Sequence, residues 1–354
     1  MRTPAPPPQA PFGPSLSKPR PTEHIGTSTG SVRSAVPRDF RTDHRWLSIN
    51  TATVRAQWPL DRIIDECAAR NIRAISPWRD QVAAAGLQRV AAQLRDTGIE
   101  LSGYCRGGMF PGIDTASRQA ALDDNRRAVD EAKVLDAACL VLVVGSLPGA
   151  LAGAPAHKDI AAARNDVRDG IAATLDYARE VGMPLAIEPL HPMYAADRAC
   201  INTLEQALDL CDALDPGRTG ARGVEGVDRA ALGVEGAHHA ALGVEGVDRA
   251  ALGVAVDVYH VWWDPKLEAQ IARAGRERLL AFHVCDWLVP TRDLLNDRGM
   301  MGDGVIDIPR IRAWVEAAGF AGYSEVEIFS AENWWRRPGG EVLDTCIARH
   351  RSAV

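Results

Sequence analysis

No stretch of the 354 residues approaches the roughly 18 consecutive apolar positions of a membrane-spanning helix, which argues against a membrane partner. The N-terminus lacks the apolar core of a secretory signal and reads MRTPAPPPQAPFGP instead. Cysteine is sparse: seven residues, an odd number, scattered without a CxxC pair. That usage fits the reduced thiols of a cytoplasmic protein and excludes a disulfide framework or a Cys-rich zinc or iron–sulfur site. Positive charge is also in deficit, with 40 Lys+Arg against 46 Asp+Glu and a net charge of −6. A nucleic-acid binder needs a basic face to neutralise phosphates, so that class is excluded as well. What remains is 46% hydrophobic and 24% charged, the composition of an ordinary folded domain. The length suits one large α/β barrel or two smaller domains.

Two segments stand apart. Nine of the 22 prolines fall within residues 1–37, mixed with Ser, Thr, Gly and Gln. Such a segment buries too little apolar surface to offset its chain entropy, so residues 1–42 are expected to form a disordered tail. The second is a decapeptide repeat: 223–232 and 243–252 both read GVEGVDRAAL, and 233–242 reads GVEGAHHAAL. Three copies of so short a unit cannot stack a core, and their glycines oppose a continuous helix. Residues 215–252 are therefore read as an insertion, with His238 and His239 discounted as metal ligands for want of a rigid frame.

The rest, 43–354, alternates β-rich runs with amphipathic helical stretches. The runs are 46–53, 72–78, 99–105, 139–146, 184–190, 252–260, 279–287 and 323–330. Between them lie stretches such as LDRIIDECAARN and VRDGIAATLDYAREVG, with apolar residues every three or four positions and Gly or Asn at the end. Strict alternation implies a parallel sheet, and eight units close a single (β/α)8 barrel. An open doubly wound sheet would usually carry a Gly-rich phosphate loop after its first strand, and NTATVRAQWP is not one.

In such a barrel the chemistry gathers at the C-terminal strand ends. In order, those ends carry Arg79, Arg106, Glu188, Asp257, His283 and the pair Glu325/Glu327. A carboxylate inside an apolar strand such as LAIEPL or VAVDVYH is costly unless paired or bound to a cation. Four consecutive strands each end in a metal-competent side chain, a pattern that isolated buried salt bridges explain poorly. Three carboxylates and an imidazole suit Mn²⁺ first, then Mg²⁺ or Co²⁺, and admit Zn²⁺.

Glu188 in IEPLHP, Asp257 and His260 in VDVYH, His283 in FHVCDW and Glu327 in VEIF together resemble the xylose-isomerase-like barrel superfamily. That group includes sugar phosphate isomerases and epimerases, inosose isomerases and dehydratases, and ketose 3-epimerases. The resemblance spans about 45–351 apart from the insertion. It implies one divalent metal held by Glu188, Asp257, His283 and Glu327, with Glu327 chosen over Glu325 because it precedes Ile-Phe as the family ligand does. It also implies an isomerase or epimerase acting on a sugar, sugar phosphate or cyclitol. Glu188 and Glu327 would then remove and return a proton next to a carbonyl held by the metal, through an enediolate. Ketose epimerases usually carry a second Glu shortly after the first ligand; here HPMYAAD follows, so a lyase or dehydratase acting on a keto-sugar or ketoinositol stands as the alternative. A non-catalytic or partner subunit is the alternative of another class, and either a homo-oligomer or a heteromeric complex is compatible with the sequence.

Other residues carry two readings each. His260 and His191 bind substrate or relay protons, or they cap the barrel edge. Arg79 and Arg106 hold hydroxyls or a phosphate, or they are surface arginines. The tryptophan pairs 262–263 and 334–335 wall the sugar, Trp262 foremost, or they pack between protomers. The long connection 288–309 is expected to be a lid, with Asp307 capping the helix that follows.

Overall fold

The computed structural model describes residues 38–216 and 250–354. Residues 1–37 of the expected tail and nearly all of the decapeptide repeat, His238 and His239 included, lie outside the described residues. The barrel strands are short apolar runs, buried on both sides as a parallel sheet covered by helices requires. In chain order they are β1 (Leu47–Asn50), β2 (Ala74–Ser76), β3 (Glu100–Leu101), β4 (Tyr104–Gly108), β5 (Leu140–Val143), β6 (Leu185–Ile187), β7 (Leu252–Asp257), β8 (Leu279–Val284) and, after a two-stranded ribbon, β11 (Ser324–Val326). All pair in parallel in the order β3-β2-β1-β11-β8-β7-β6-β5-β4. β3 and β4 are the two halves of one barrel strand broken at Ser102-Gly103. Single bridges Trp78↔Cys105 and Leu101↔Ala137 carry the pairing across the break. The result is a single eight-stave barrel whose third stave is split. The ribbon pairs β9 (Asp286–Trp287) with β10 (Arg298–Gly299) antiparallel, at the rim above β8.

Ten helices accompany the strands among the described residues, and the longer ones turn apolar positions inward. In α1 (Leu60–Ala69) the buried positions are Leu60, Ile63, Ile64 and Cys67, the i, i+3, i+4, i+7 spacing of a one-sided helix. Asp114 starts α4 (Thr115–Val134) with a capping box to Ser117. Asp307 caps α9 (Ile308–Ala317) through the Arg310 amide, as expected. Inside the barrel, beneath the site, the packing is small: Cys105, Cys139, Val141, Ala186, Ala255 and Ala281. All seven cysteines are buried and none forms a disulfide.

Two boundaries differ from expectation. The chain is already packed at Arg38, whose guanidinium reaches Glu316 (3.1 Å) and the Gly322 carbonyl (2.7 Å). Phe40 is buried and stacks on His350 at 4.4 Å. An aromatic after the proline-rich run was enough to dock it, so the ordered domain begins before residue 43. The last residues of the third decamer, Ala250–Leu252, likewise belong to the barrel, since Ala251 accepts from Leu185 and Leu252 opens β7. Buried Arg278 ties the two sides of the insertion together by donating to the Leu252 (3.0 Å) and Asp215 (2.9 Å) carbonyls. Both anchors lie at the N-terminal end of β7, opposite the strand ends that carry Asp257 and Glu188. Deleting one decamer is therefore expected to leave divalent-metal binding within about twofold, read by calorimetry; loss of binding in a folded deletion variant would refute this.

His350 sets a pH dependence. It is buried, neither ring nitrogen has a partner, and burial pushes it down to about 3, helped by His44, Arg312, Arg38 and Arg351. Unfolded chain binds that proton near pH ~6.5, so between there and about 3 the unfolded state holds more protons and stability falls as pH falls. Wild type is expected to lose about 2 kcal/mol more than His350→Phe between pH 7.5 and 5 in urea unfolding. Equal losses would contradict it.

Candidate active site

Every side chain of the site hangs from a C-terminal strand end. Glu188 follows β6, Asp257 ends β7, His283 lies near the end of β8 and Glu327 follows β11. The structure brings these four together: one ligand-type atom from each lies within 4.8 Å of the others, and all four residues are buried. The His283 Nδ1 is 2.9 Å from Glu188 Oε1 and 3.9 Å from Glu327 Oε2. Its Nε2 points the other way, 3.5 Å from Glu325 Oε1. Glu325, two residues before Glu327, is thus the deeper carboxylate, and it is anchored. Asn50 donates to it at 2.9 Å and Ser102 at 2.8 Å. Burial opposes charge on His283, yet Glu325, Glu188 and Glu327 around it raise its pKa well above the ordinary value.

The sequence reading missed a guanidinium built into this nest. Arg298, on β10, is buried and donates through Nη1 to Asp257 Oδ2 (2.9 Å) and Glu327 Oε2 (3.0 Å). Its Nη2 meets His260 Nε2 at 3.1 Å. Burial disfavours its charge, but Asp257 and Glu327 more than offset this and raise its pKa. Burial likewise works against ionised Asp257, whose pKa Arg298 and His260 nevertheless hold down. Glu327 is raised, by burial first and then by Glu188 and Asp257 against the pull of Arg298 and His283. Nothing but its place in the longest loop of the catalytic face set Arg298 apart from the other basic residues.

His260 enters by a local turn. Asp257 Oδ1 accepts from the Tyr259 amide (2.8 Å) and starts the one-turn helix α7 (Val258–Val261). On a strand, residue 260 would face away from residue 257; the turn folds it back to 3.6 Å from Asp257 Oδ2. A guanidinium only donates, so Nε2 accepts and the neutral ring carries its proton on Nδ1. Burial, with Arg298 adding to it, pushes His260 down to about 3, so the ring stays neutral.

These groups open into a cavity lined by Glu188, Glu327, His260, Arg298, Arg106, Trp78 and Phe329, among others. Three expected contributors are absent from its wall. Arg79 points to the helices: it is spanned by Glu131 (2.7 Å) and Asp124 (2.8 Å), both on α4. It joins α2 (Arg79–Ala85) to α4 and lies off the cavity wall. His191 caps a short turn, accepting the Met193 amide on Nδ1 (3.2 Å), and is walled in by Trp263 and Trp287. Trp262 packs beside Trp287, with ring centres 6.0 Å apart, and the aromatics on the cavity wall include Trp78 and Phe329 instead.

The expected lid divides in two. Met300 and Met301 are fully buried, with Met300 sulfur 3.9 Å from Cys346, so 298–301 belongs to the core, while 302–305 is exposed. Buried Asp286 accepts from the Trp287, Gly302, Gly304 and Ile306 amides at 2.8–3.0 Å and fixes that segment. The preceding stretch projects, with Val289 71% and Leu294 48% exposed, and Val305 is 51% exposed.

The donor set fits a divalent cation. Four buried carboxylates (Glu188, Asp257, Glu325 and Glu327) face one guanidinium and one imidazole, an imbalance that a dication offsets. The His283 orientation fits as well: Nδ1 faces the acidic ligands, while Nε2 lies 3.5 Å from Glu325 without a hydrogen bond.

A parallel eight-stave barrel with an oxygen-rich quartet at its strand ends defines a class of metal-competent barrel proteins. A family model described as "Xylose isomerase-like TIM barrel" matches residues 64–221 and 233–344. The chain belongs to that family. Among solved structures, protein SMc04130 from Sinorhizobium meliloti 1021 is 54% identical, with 87% of this chain and 98% of that one covered and a TM-score of 0.75. The IolI protein with a binding zinc atom is 16% identical over 86% and 98% of the two chains, TM-score 0.65. The 3-keto-D-glucoside 4-epimerase YcjR from E. coli is 15% identical over 87% and 99%, TM-score 0.62. The last two similarities establish the fold alone. No curated protein matches the sequence. Among the described residues no helix is long and apolar enough to cross a membrane.

Proposed function

We propose that the protein is a divalent-metal-dependent isomerase or epimerase of a keto-sugar or cyclitol, with Glu188, Asp257, His283 and Glu327 as the metal ligands. The observation that carries this reading is the buried quartet of ligand-type side chains, two of which, Glu188 and Glu327, line a pocket at the strand ends. A bound divalent cation would supply Lewis acidity, making the C–H beside a carbonyl acidic enough to lose its proton. The chain's own residues do the rest. Glu188 and Glu327 reach the cavity from staves on either side of β7 and β8, so one carboxylate can take a proton from one face of a carbon and the other return it. Arg298 and neutral His260 orient the hydroxyls, and Trp78 and Phe329, packed edge to face at 5.6 Å, wall the cavity against water.

A lyase reading uses the same residues. It is favoured by one observation: Glu188 and Glu327 are the only carboxylates on the cavity wall among the described residues, without the additional glutamate expected of ketose epimerases. The test for both is solvent exchange. Protein loaded with Mn²⁺, Co²⁺, Mg²⁺ or Zn²⁺ is incubated in D₂O with keto-sugars and ketoinositols. Deuterium entering beside the carbonyl, and lost on chelation, supports the proposal; water elimination marks the lyase. Absence of exchange and of elimination with every metal-loaded form would leave the non-catalytic subunit reading standing.

A further inference from the structure

Of the three arginines on the cavity wall, Arg298 is neutralised by two carboxylates, whereas the other two are not. Arg106 has no hydrogen-bond or ion-pair partner among the described residues. Arg198 has only Asp197, at 4.0 Å, and its buried Nε has no partner. Burial lowers the pKa of Arg106, and the charge of Arg198 lowers it further, so the two guanidiniums repel across a shared space. Such a pair is unfavourable in a partly buried site unless an anion lies between them.

Both positions are built rather than incidental. The pairing of β4 with β5 slips between Cys105 and Gly107, which leaves Arg106 as the extra residue of a bulge. Bulges of this sort re-aim a side chain, here from the helix layer to the cavity. Asn125, fully buried on α4, holds the bulge from both sides: it accepts the Gly108 amide (2.6 Å) and donates to the Gly108 carbonyl (2.8 Å). Gly108 takes φ +103° there, and a Cβ would sit 2.0 Å from the Val143 carbonyl oxygen. Arg198 is fixed through its backbone, its carbonyl accepting the Gly145 amide at 2.9 Å. Its guanidinium lies over the Tyr194 ring at 5.6 Å.

The pair also has a definite place. The acidic quartet occupies staves five to eight, while Arg106 stands on stave three and Arg198 in the loop after stave five, bridged to the end of stave four. We infer that Arg106 and Arg198 form an oxyanion subsite, and that the substrate carries a terminal carboxylate or phosphate on the end remote from its reacting carbonyl. The assignment rests on the keto-sugar reading of the same cavity. Two forked guanidiniums suit either anion, since each binds paired oxygens in one plane.

Calorimetric titration of the full chain, loaded with Mn²⁺, tests it with D-fructose, D-fructose 6-phosphate and D-fructuronate. A hydrogen-bonded charge of this kind is worth roughly tenfold or more in affinity. At least one anionic probe is expected to bind at least about tenfold tighter than D-fructose, and which one does so identifies the anion. Arg106→Gln and Arg198→Gln should each shrink that preference to less than about threefold, with Arg106→Lys restoring part of it. Equal affinity of wild type for all three probes overturns the subsite, as does a preference that persists in folded Gln variants. The comparison within wild type decides the matter even if a variant fails to fold. Arginine-dependent anion binding without any C–H exchange would retire the isomerase reading and keep the subsite. Exchange that ignores terminal charge, with equal binding of the three probes, would do the reverse.

Discussion

His283→Ala is expected to lower divalent-metal affinity by at least about 100-fold, because loss of even a supporting partner of a ligand costs 10–100-fold. The proposed ligand lost is the imidazole whose Nδ1 lies 2.9 Å from Glu188 and 3.9 Å from Glu327. Its removal also takes away the positive charge that Glu188, Glu325 and Glu327 draw onto that ring, so the carboxylates face one another with only Arg298 between them. Glu327→Gln should separate binding from turnover. An amide oxygen can still coordinate, but it cannot take up a substrate proton, so metal stoichiometry is expected to stay near wild type while turnover falls by about 10²–10⁴-fold. Metal analysis after dialysis and deuterium exchange read the two effects independently. Wild-type metal affinity in His283→Ala would sink the ligand assignment.

Asp286→Ala is expected to cost about 3–5 kcal/mol of stability, with the segment 298–306 released first. One carboxylate satisfies four backbone amides there, and alanine would leave three of them, from Gly302, Gly304 and Ile306, without their acceptor beneath the buried Met300 and Met301. Because Arg298 opens that segment, its bonds to Asp257 and Glu327 should loosen with it. Hydrogen exchange at 298–306 should therefore rise before the barrel strands exchange. A variant with wild-type melting and unchanged protection at those amides would show that other contacts hold the segment.

How much of this was legible beforehand varies with the kind of contact involved. The eight-stave barrel was, because short apolar runs and near-3.6 patterns alternate along the chain and only one closed parallel architecture takes eight such units. The convergence of Glu188, Asp257, His283 and Glu327 was legible for a related reason: a charged side chain inside an apolar strand has no inexpensive place except a shared polar site. Residues just beyond strand ends were not. Arg79, His191 and Trp262 all follow strands, yet each turns to a neighbouring helix, turn or ring, since a loop's path, not strand parity, sets its direction.

Arg298 became visible only through tertiary contact, as its partners lie 41 and 29 positions away. The same holds for the bulge that turns Arg106 into the cavity, which exists because Asn125 on α4 grips Gly108 from 17 residues off. By itself, then, the sequence determined the barrel and the rim where its acidic groups meet, both consequences of local periodicity and of the cost of burying charge. The tertiary structure alone decided which cations face that rim, because side-chain direction in loops and bulges depends on partners distant in the chain.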